Sequence, residues 1–218
     1  VTREEETPLP ADLTDDAIVD LLGPYGVVPP HALCESVRSY ISTLLLWNSK
    51  IALTTVTNPV DIVRLHFGES FFAARAASIT GGRVADIGTG AGFPGIPIRM
   101  VTPGVGLTLV EPIAKKTAFL GEVVRKLGLS GVDIIRCRME ELPPEQTGFD
   151  LMTARALGRY LKLARWAESR ISKGGELLLM LGEAEVRDLV QLRGWNWREP
   201  LRIPQSTARF VLIGSPLV

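Results

Sequence analysis

Residues 84–97 read Val84-Ala85-Asp86-Ile87-Gly88-Thr89-Gly90-Ala91-Gly92-Phe93-Pro94-Gly95-Ile96-Pro97. A short apolar run carries an acid, breaks at a glycine turn, and becomes apolar again beyond Pro94. This is the pattern of a parallel strand, a ligand-cradling turn and a helix start. Glycines at 88, 90 and 92 let a ligand approach the backbone and allow positive φ. In open α/β sheets such a turn lies at the carboxyl ends of the strands, where ligands bind.

The spacing narrows the ligand. Nicotinamide-binding turns place glycines at the first, third and sixth positions. Here the third glycine is at the fifth position and Phe93 occupies the sixth. No Gly-Lys-Ser/Thr follows, so a triphosphate-binding loop is excluded. Asp86 would repel a pyrophosphate. It suits a cationic ligand, or it can fix the loop by accepting backbone N–H bonds. The turn resembles the first motif of S-adenosylmethionine-dependent methyltransferases, which implies Asp86, Gly88, Thr89, Gly90, Gly92 and Phe93 as cofactor-binding residues.

Outward from the turn, residues 83–213 alternate between strand and helix patterns. Strands are predicted at 83–87, 107–111, 132–136, 149–153, 176–181, 195–203 and 207–213. Helices are predicted at 95–101, 113–128, 159–171 and 183–193, with Gly174-Gly175 closing the third of these. Alternation of this kind gives a largely parallel sheet covered on both faces. The last two strands have only Pro204 to Ser206 between them and should form an antiparallel hairpin at the sheet edge. Residues 1–80 differ. Residues 1–11 are polar and should fray. Helices are then predicted from Leu13 to Leu22, from His31 to Ser49 and from Val60 to Ile79, each with an apolar stripe. The reading is two regions, a helical extension over 1–80 and a sheet domain over 81–218.

Composition bounds the rest. At 46% hydrophobic and 22% charged residues the chain is globular. No uncharged apolar run is long enough to span a membrane, and residues 1–20 lack a signal-peptide pattern. Cys34 and Cys137 have no metal-binding spacing, so neither a metal nor a disulfide is expected. A cytoplasmic protein, monomeric, is the expectation. The net charge is zero, which argues against an ordinary nucleic-acid binder. Yet residues 1–80 hold five Lys/Arg against ten Asp/Glu, and the remainder holds 19 against 14. The dense basic stretch is Arg155, Arg159, Lys162, Arg165, Arg170 and Lys173. It could meet a polyanion or could be a solvated helix face.

Four further places carry chemistry. Glu111 ends the second strand, where an acid can accept hydrogen bonds from ribose hydroxyls; as a carboxylate at a helix start it would also favour the helix dipole. Met139 and Glu140 follow the third strand and could pack on an adenine and meet its amine; Met139 is equally a core filler. Arg155 lies at the tip of the fourth strand, in Thr153-Ala154-Arg155-Ala156. An Asn/Asp-Pro-Pro-aromatic segment for an exocyclic amine is absent there, and no Pro-Cys pair offers a nucleophile. A ring nitrogen with a free lone pair fits better, needing positioning and no general base. His66 on the third helix could line the substrate side or be structural.

These residues together resemble the glucose-inhibited division protein B family, the bacterial 16S rRNA guanine-N7 methyltransferases. The resemblance rests on Asp86 to Pro97, on Lys115-Lys116 with Phe119-Leu120, on Arg138-Met139-Glu140 and on Thr153 to Ala156. It runs from Trp47-Asn48 to the final strand. It implies a class I S-adenosylmethionine-dependent methyltransferase, a Rossmann-like seven-stranded mixed sheet with an N-terminal helical extension. It implies S-adenosyl-L-methionine as cofactor, held by the glycine loop, Glu111, Met139 and Glu140, with Arg155 beside the methyl group. It implies 16S rRNA or the small ribosomal subunit as partner, with N7 of guanosine 527 in the 530 loop as the family's target. An Arg-His-x-x-Asp-Ser segment of the family falls on Leu65-His66-Phe67-Gly68-Glu69-Ser70.

The chain departs from the family pattern at three places. Leu65 replaces an arginine, with Arg64 one place earlier; Leu181-Gly182 lacks an expected lysine; and residues 214–218 lack a basic tip. A one-residue shift on a helix turns a side chain by about 100°. Two other readings therefore stand beside the family's own. One is a same-fold methyltransferase with a different RNA or a small-molecule substrate. The other is a non-catalytic, cofactor-binding ribosome-assembly factor. A dehydrogenase is opposed by the glycine spacing.

Overall fold

The structure is a computed structural model that describes residues 13–217. The expectation for residues 1–11 lies outside the described residues. Strands β1 (Gly82–Ile87), β2 (Val105–Val110), β3 (Val132–Ile135), β4 (Phe149–Arg155) and β5 (Ile171–Gly182) form the parallel part of one sheet. β6 (Trp195–Trp197) and β7 (Leu201–Arg202) each pair antiparallel with β8 (Arg209–Pro216). The order is β3-β2-β1-β4-β5-β8-β6, with β8 antiparallel to β5. The order reverses at β1 and β4, so their carboxyl ends part and leave a crevice there.

Helices α5 (Gly95–Val101), α6 (Ala114–Lys126), α7 (Tyr160–Ala167) and α8 (Glu183–Val190) cover the sheet. The central strands read as continuous apolar runs because both faces are buried: Leu177, Leu178 and Leu179 are fully buried. Two differences from the sequence reading concern the second half. The expected strand at 195–203 is two short strands, β6 and β7, separated by Arg198 to Pro200, so the sheet has eight strands. The helix expected at 159–171 ends at Ala167, and β5 already begins at Ile171. Gly174-Gly175 therefore lies inside a strand, where pairing shifts from Phe149–Ile171 to Leu151–Glu176. Phe149 carbonyl would sit 2.7 Å from a Cβ at Gly175, which only glycine tolerates at this irregularity.

Upstream of the sheet lie α1 (Asp15–Leu22), α2 (His31–Asn48), α3 (Pro59–Ile62) and α4 (Glu69–Ala77). Thr14 caps α1 by accepting from Ala17 N–H, and Asn58 caps α3 by accepting from Val60 and Asp61 N–H. Ile18, Val37, Ile41, Leu44, Phe67 and Phe71 share one buried cluster with Val84, Leu107 and Leu178 of the sheet. The apolar stripes of these helices are thus spent on the sheet's face. The expected helix over 60–79 contains a π-helical stretch, Val63–Gly68, between α3 and α4. The wider turn resets which side chains face the site, and π turns of this kind concentrate at functional positions.

Candidate active site

The glycine turn joins β1 to α5 as its sequence implies. Gly88, Gly90 and Gly92 all have positive φ. At Gly92 (φ +88°) a Cβ would come within 2.3 Å of Tyr40 Oη. Tyr40 enters from α2, donates its hydroxyl to Ala91 C=O at 2.6 Å and stacks on Phe93 with ring centroids 5.1 Å apart. The helical segment therefore props the turn from behind. Sequence reasoning placed Tyr40 only in an apolar stripe; its partner is 51 residues away.

Asp86 is fully buried beneath the turn. Its Oδ2 accepts from Thr89 Oγ1 at 2.6 Å and from Gly95 N–H at 2.9 Å. Burial raises its pKa to about 6, against the lowering effect of those two hydrogen bonds and of Arg155. Its Oδ1 is buried with no hydrogen-bond partner. One oxygen thus fixes the loop, and the other is left beneath it without a hydrogen-bond partner.

Glu111 is buried where β2 ends. It accepts from Gly90 N–H at 3.0 Å through Oε2 and from Ile113 N–H at 3.0 Å through Oε1. A carboxylate has about four acceptor positions, so two remain for a ribose diol. Beside it is a cleft of about 240 Å³ walled by Gly88, Val110, Cys137, Met139, Leu157 and Arg159. Met139 is buried against it. Glu140 borders it too, but its exposed carboxylate is paired with Lys162 of α7. Among the basic stretch, Lys162 is therefore engaged, and Arg170 is turned inward to Leu142, Pro143 and Gln146 carbonyls. The stretch is not one continuous cationic face.

Arg155 ends β4 with its side chain about one-fifth exposed. Nη1 donates to Leu65 C=O at 3.0 Å and Nη2 lies 3.0 Å from His66 Nδ1. The guanidinium rests 5.5 Å from the Phe93 ring centroid. Burial works against its charge, while the Glu69 and Asp86 carboxylates work for it. His66 is buried, with Nε2 2.9 Å from Thr54 Oγ1. Burial, then Arg155, lowers its pKa to about 3. It is a neutral ring that aims the arginine, and its basic nitrogen is already used. The sequence offered His66 as lining the substrate side or as structural; in the fold it is buried beside Arg155, with both ring nitrogens in hydrogen-bond contact.

Two more clefts converge here. One of about 200 Å³ is lined by Thr54, His66, Thr89, Gly90, Lys116 and Arg155. The other, about 480 Å³, is lined by Leu65, Glu69, Arg155, Tyr160, Leu181 and Arg209 among others. Gly88 borders the first two clefts; His66, Arg155 and Ala156 border the last two. The result is one furrow across the strand ends. Thr54 and Arg209 were not singled out from sequence as site residues, and Glu69 was noted only as part of the segment Leu65 to Ser70. None belongs to the glycine motif, and β8 reaches the site only through its place beside β5.

S-adenosyl-L-methionine fits these residues. Its adenosine matches the apolar cleft beside the free carboxylate positions of Glu111, and its amino acid and sulfonium match the polar cleft lined by Thr54, Thr89, Gly90 and Arg155. Sheet order, glycine turn and furrow define a class I methyltransferase. Solved structures agree on the fold. The chain superposes on a ribosomal protein L11 methylase from Lactobacillus delbrueckii subsp. bulgaricus with TM-score 0.61 at 15% identity, covering 71% of this chain and 80% of that one. It superposes on a SAM dependent methyltransferase from Aquifex aeolicus with TM-score 0.59 at 18% identity, covering 72% and 93%.

Sequence comparison goes further. The model of the family described as rRNA small subunit methyltransferase G matches residues 33–198, and the chain belongs to that family. It is 36% identical to the Desulfitobacterium hafniense ribosomal RNA small subunit methyltransferase G over 72% of this chain and 66% of the relative. It is 32% identical to the Roseiflexus castenholzii protein of the same name over 91% of this chain and 89% of the relative.

Proposed function

We propose that this protein transfers a methyl group from S-adenosyl-L-methionine to N7 of a guanine in 16S rRNA, at the family's position 527 in the 530 loop. The observation that carries the reading is Arg155, held by His66 and Leu65 at the junction of the polar cleft and the 480 Å³ cleft. The cofactor supplies an electrophilic methyl on a cationic sulfur. The target needs a lone pair and loses no proton, so a site without an available base is sufficient. His66, neutral with its Nδ1 occupied, agrees with this.

Each residue then has a positioning or electrostatic task. Glu111 and Met139 seat the nucleoside; Thr89 and Asp86 hold the loop's shape. Arg155 donates to an acceptor edge of the base, where guanine presents O6 beside N7. Phe93 keeps water from beneath the guanidinium, which strengthens its hydrogen bonds. Correct orientation of a bound pair can supply much of the rate.

Residues 1–80 serve as an extension completing the site, since Tyr40, Thr54 and His66 all come from it. The protein works as a cytoplasmic monomer on the small ribosomal subunit. No described helix is long and apolar enough to cross a membrane, and no described group of His, Cys, Asp and Glu could hold a metal. Incubating the protein with unmethylated small subunits and labelled cofactor, then mapping the label, tests the reading. Label on guanine N7 of the 530 loop is the expected result; label elsewhere, or none, contradicts it.

A further inference from the structure

Glu69 is the feature of the furrow that cofactor binding leaves unused. It opens α4, directly after the π-helical stretch, and its side chain is only 4% exposed. It lines the 480 Å³ cleft together with Arg155 and Arg209. Arg209 Nη2 stands 2.6 Å from Oε1, and Arg155 Nη1 stands 4.0 Å from Oε2. Oε1 is buried and has no hydrogen-bond partner, and Oε2, beyond hydrogen-bonding distance of Arg155, retains its acceptor capacity. Glu185 also borders the cleft, but it is exposed on α8.

A buried carboxylate between two guanidiniums can be only a brace, tying α4 to β8. Two chemical facts give it more to do here. Guanine presents two parallel donors, N1–H and the N2 amine, on the edge away from N7 and beside O6. A carboxylate is the side chain that accepts from such a pair, and an arginine serves the O6 side. The second fact concerns charge. As the N7 lone pair forms the new C–N bond, the S–CH3 bond breaks with its electron pair remaining on sulfur. The positive charge passes to the purine and no proton moves. Arg155 and Arg209 alone would oppose a cationic base; a carboxylate on its donor edge favours it, and most in the transition state.

We propose that Glu69 is the guanine-selecting residue of this enzyme, accepting from N1–H and N2–H while Arg155 holds the O6 side and Arg209 keeps the carboxylate in place. The proposal rests on the guanine-N7 reading above. Oε1 is buried against Arg209, and Oε2 keeps about two acceptor positions, so the ion pair and the base are compatible. Adenine has no N1–H and presents an acceptor there. It would set two acceptors face to face, which is the kind of mismatch that rejects a substrate strongly. The walls of the same cleft include Leu65 and Leu181. Both are apolar, so discrimination falls to the charged trio.

The test pairs an enzyme change with a substrate change. Small subunits are reconstituted with 16S RNA carrying either guanosine or inosine at the methylated position; inosine keeps N7, O6 and N1–H and lacks the N2 amine. Single-turnover methylation and cofactor-free subunit binding are measured for the full chain and for Glu69→Ala and Glu69→Gln. Wild type should methylate the inosine subunit about tenfold or more slowly, the cost of an unmatched buried acceptor. In Glu69→Ala the guanosine rate should fall and the inosine penalty should shrink to about twofold or less. Glu69→Gln, isosteric and retaining one acceptor, should lie between, and its melting temperature shows whether the fold is kept. An inosine penalty equal in wild type and both variants overturns the role of Glu69 while leaving guanine-N7 transfer standing. No transfer to the guanosine subunit by wild type overturns that reading, and this proposal with it.

Discussion

Arg155 Nη2 lies 3.0 Å from Nδ1 of His66, and this one contact fixes the protonation state of both. A guanidinium can only donate, so Nδ1 accepts and the imidazole proton is on Nε2, toward Thr54 Oγ1. A histidine held in this way is no general base near neutrality. Single-turnover methylation should therefore show no break between about pH 6 and pH 8 attributable to it. A rate that rises through about pH 6.5 in wild type, and is flat in His66→Gln, would show that the ring does take a proton.

Thr54 carries the other end of that relay. Its hydroxyl oxygen accepts from His66 Nε2–H and also from Val56 N–H at 3.1 Å. Thr54→Val should free the ring and let Arg155 wander, lowering the rate of transfer about tenfold or more with little change in cofactor affinity. Equal loss of cofactor affinity would place the defect in the loop instead.

Gly92 lets the turn pack against Tyr40. Alanine there must adopt φ +88° and meet Tyr40 Oη at 2.3 Å, so Gly92→Ala should destabilise the fold by about 2–3 kcal/mol. Denaturant unfolding reads this directly, and a shift under about 0.5 kcal/mol would mean the turn yields easily.

The ionisation of Asp86 links stability to pH. Its folded pKa, about 6, lies above the ordinary carboxylate value, because burial outweighs its hydrogen bonds. The folded state thus holds the proton more tightly. Stability from this group is complete below about pH 4 and is lost as pH rises to about 6, by about 3 kcal/mol. His66 acts in the opposite sense. With its pKa lowered to about 3, its contribution is complete above about pH 6.5 and is lost as pH falls. Comparing variants separates the two. Asp86→Asn, without cofactor, should gain on wild type between pH 4 and pH 7, and a constant difference across that range contradicts the assignment.

The sequence made much of this legible, and the reasons differ by element. The turn at 88–92 announces itself because glycine spacing and a preceding acid are local. The strands β1, β2 and β4 were readable because their mostly apolar segments, Val84–Ile87, Leu107–Val110 and Leu151–Ala154, are buried on both faces. The π-helical stretch at 63–68 was not, since its apolar positions still read as an ordinary helix. Gly174-Gly175 was misplaced because glycine pairs end helices more often than they bend strands. At the site, Glu111 and Arg155 are strand-end residues and could be found by position. Tyr40, Glu69 and Arg209 act through contacts across the fold, and only the sheet order brings β8 beside β5.

Glu111→Ala tests the nucleoside seat. It removes the acceptor for Gly90 and Ile113 N–H as well as the two positions free for a ribose diol. Titration calorimetry with S-adenosyl-L-methionine should show affinity reduced about tenfold or more. Unchanged affinity would mean that the ribose lies elsewhere.

The central claim is that Arg155 presents guanine N7 to the methyl group. The direct measurement is transfer to unmethylated small subunits by wild type and Arg155→Ala, with the modified base mapped and cofactor affinity measured in parallel. Wild type should give N7-methylguanine in the 530 loop, and the variant a rate reduced about a hundredfold or more at nearly unchanged cofactor affinity. Near-normal methylation by Arg155→Ala would contradict it.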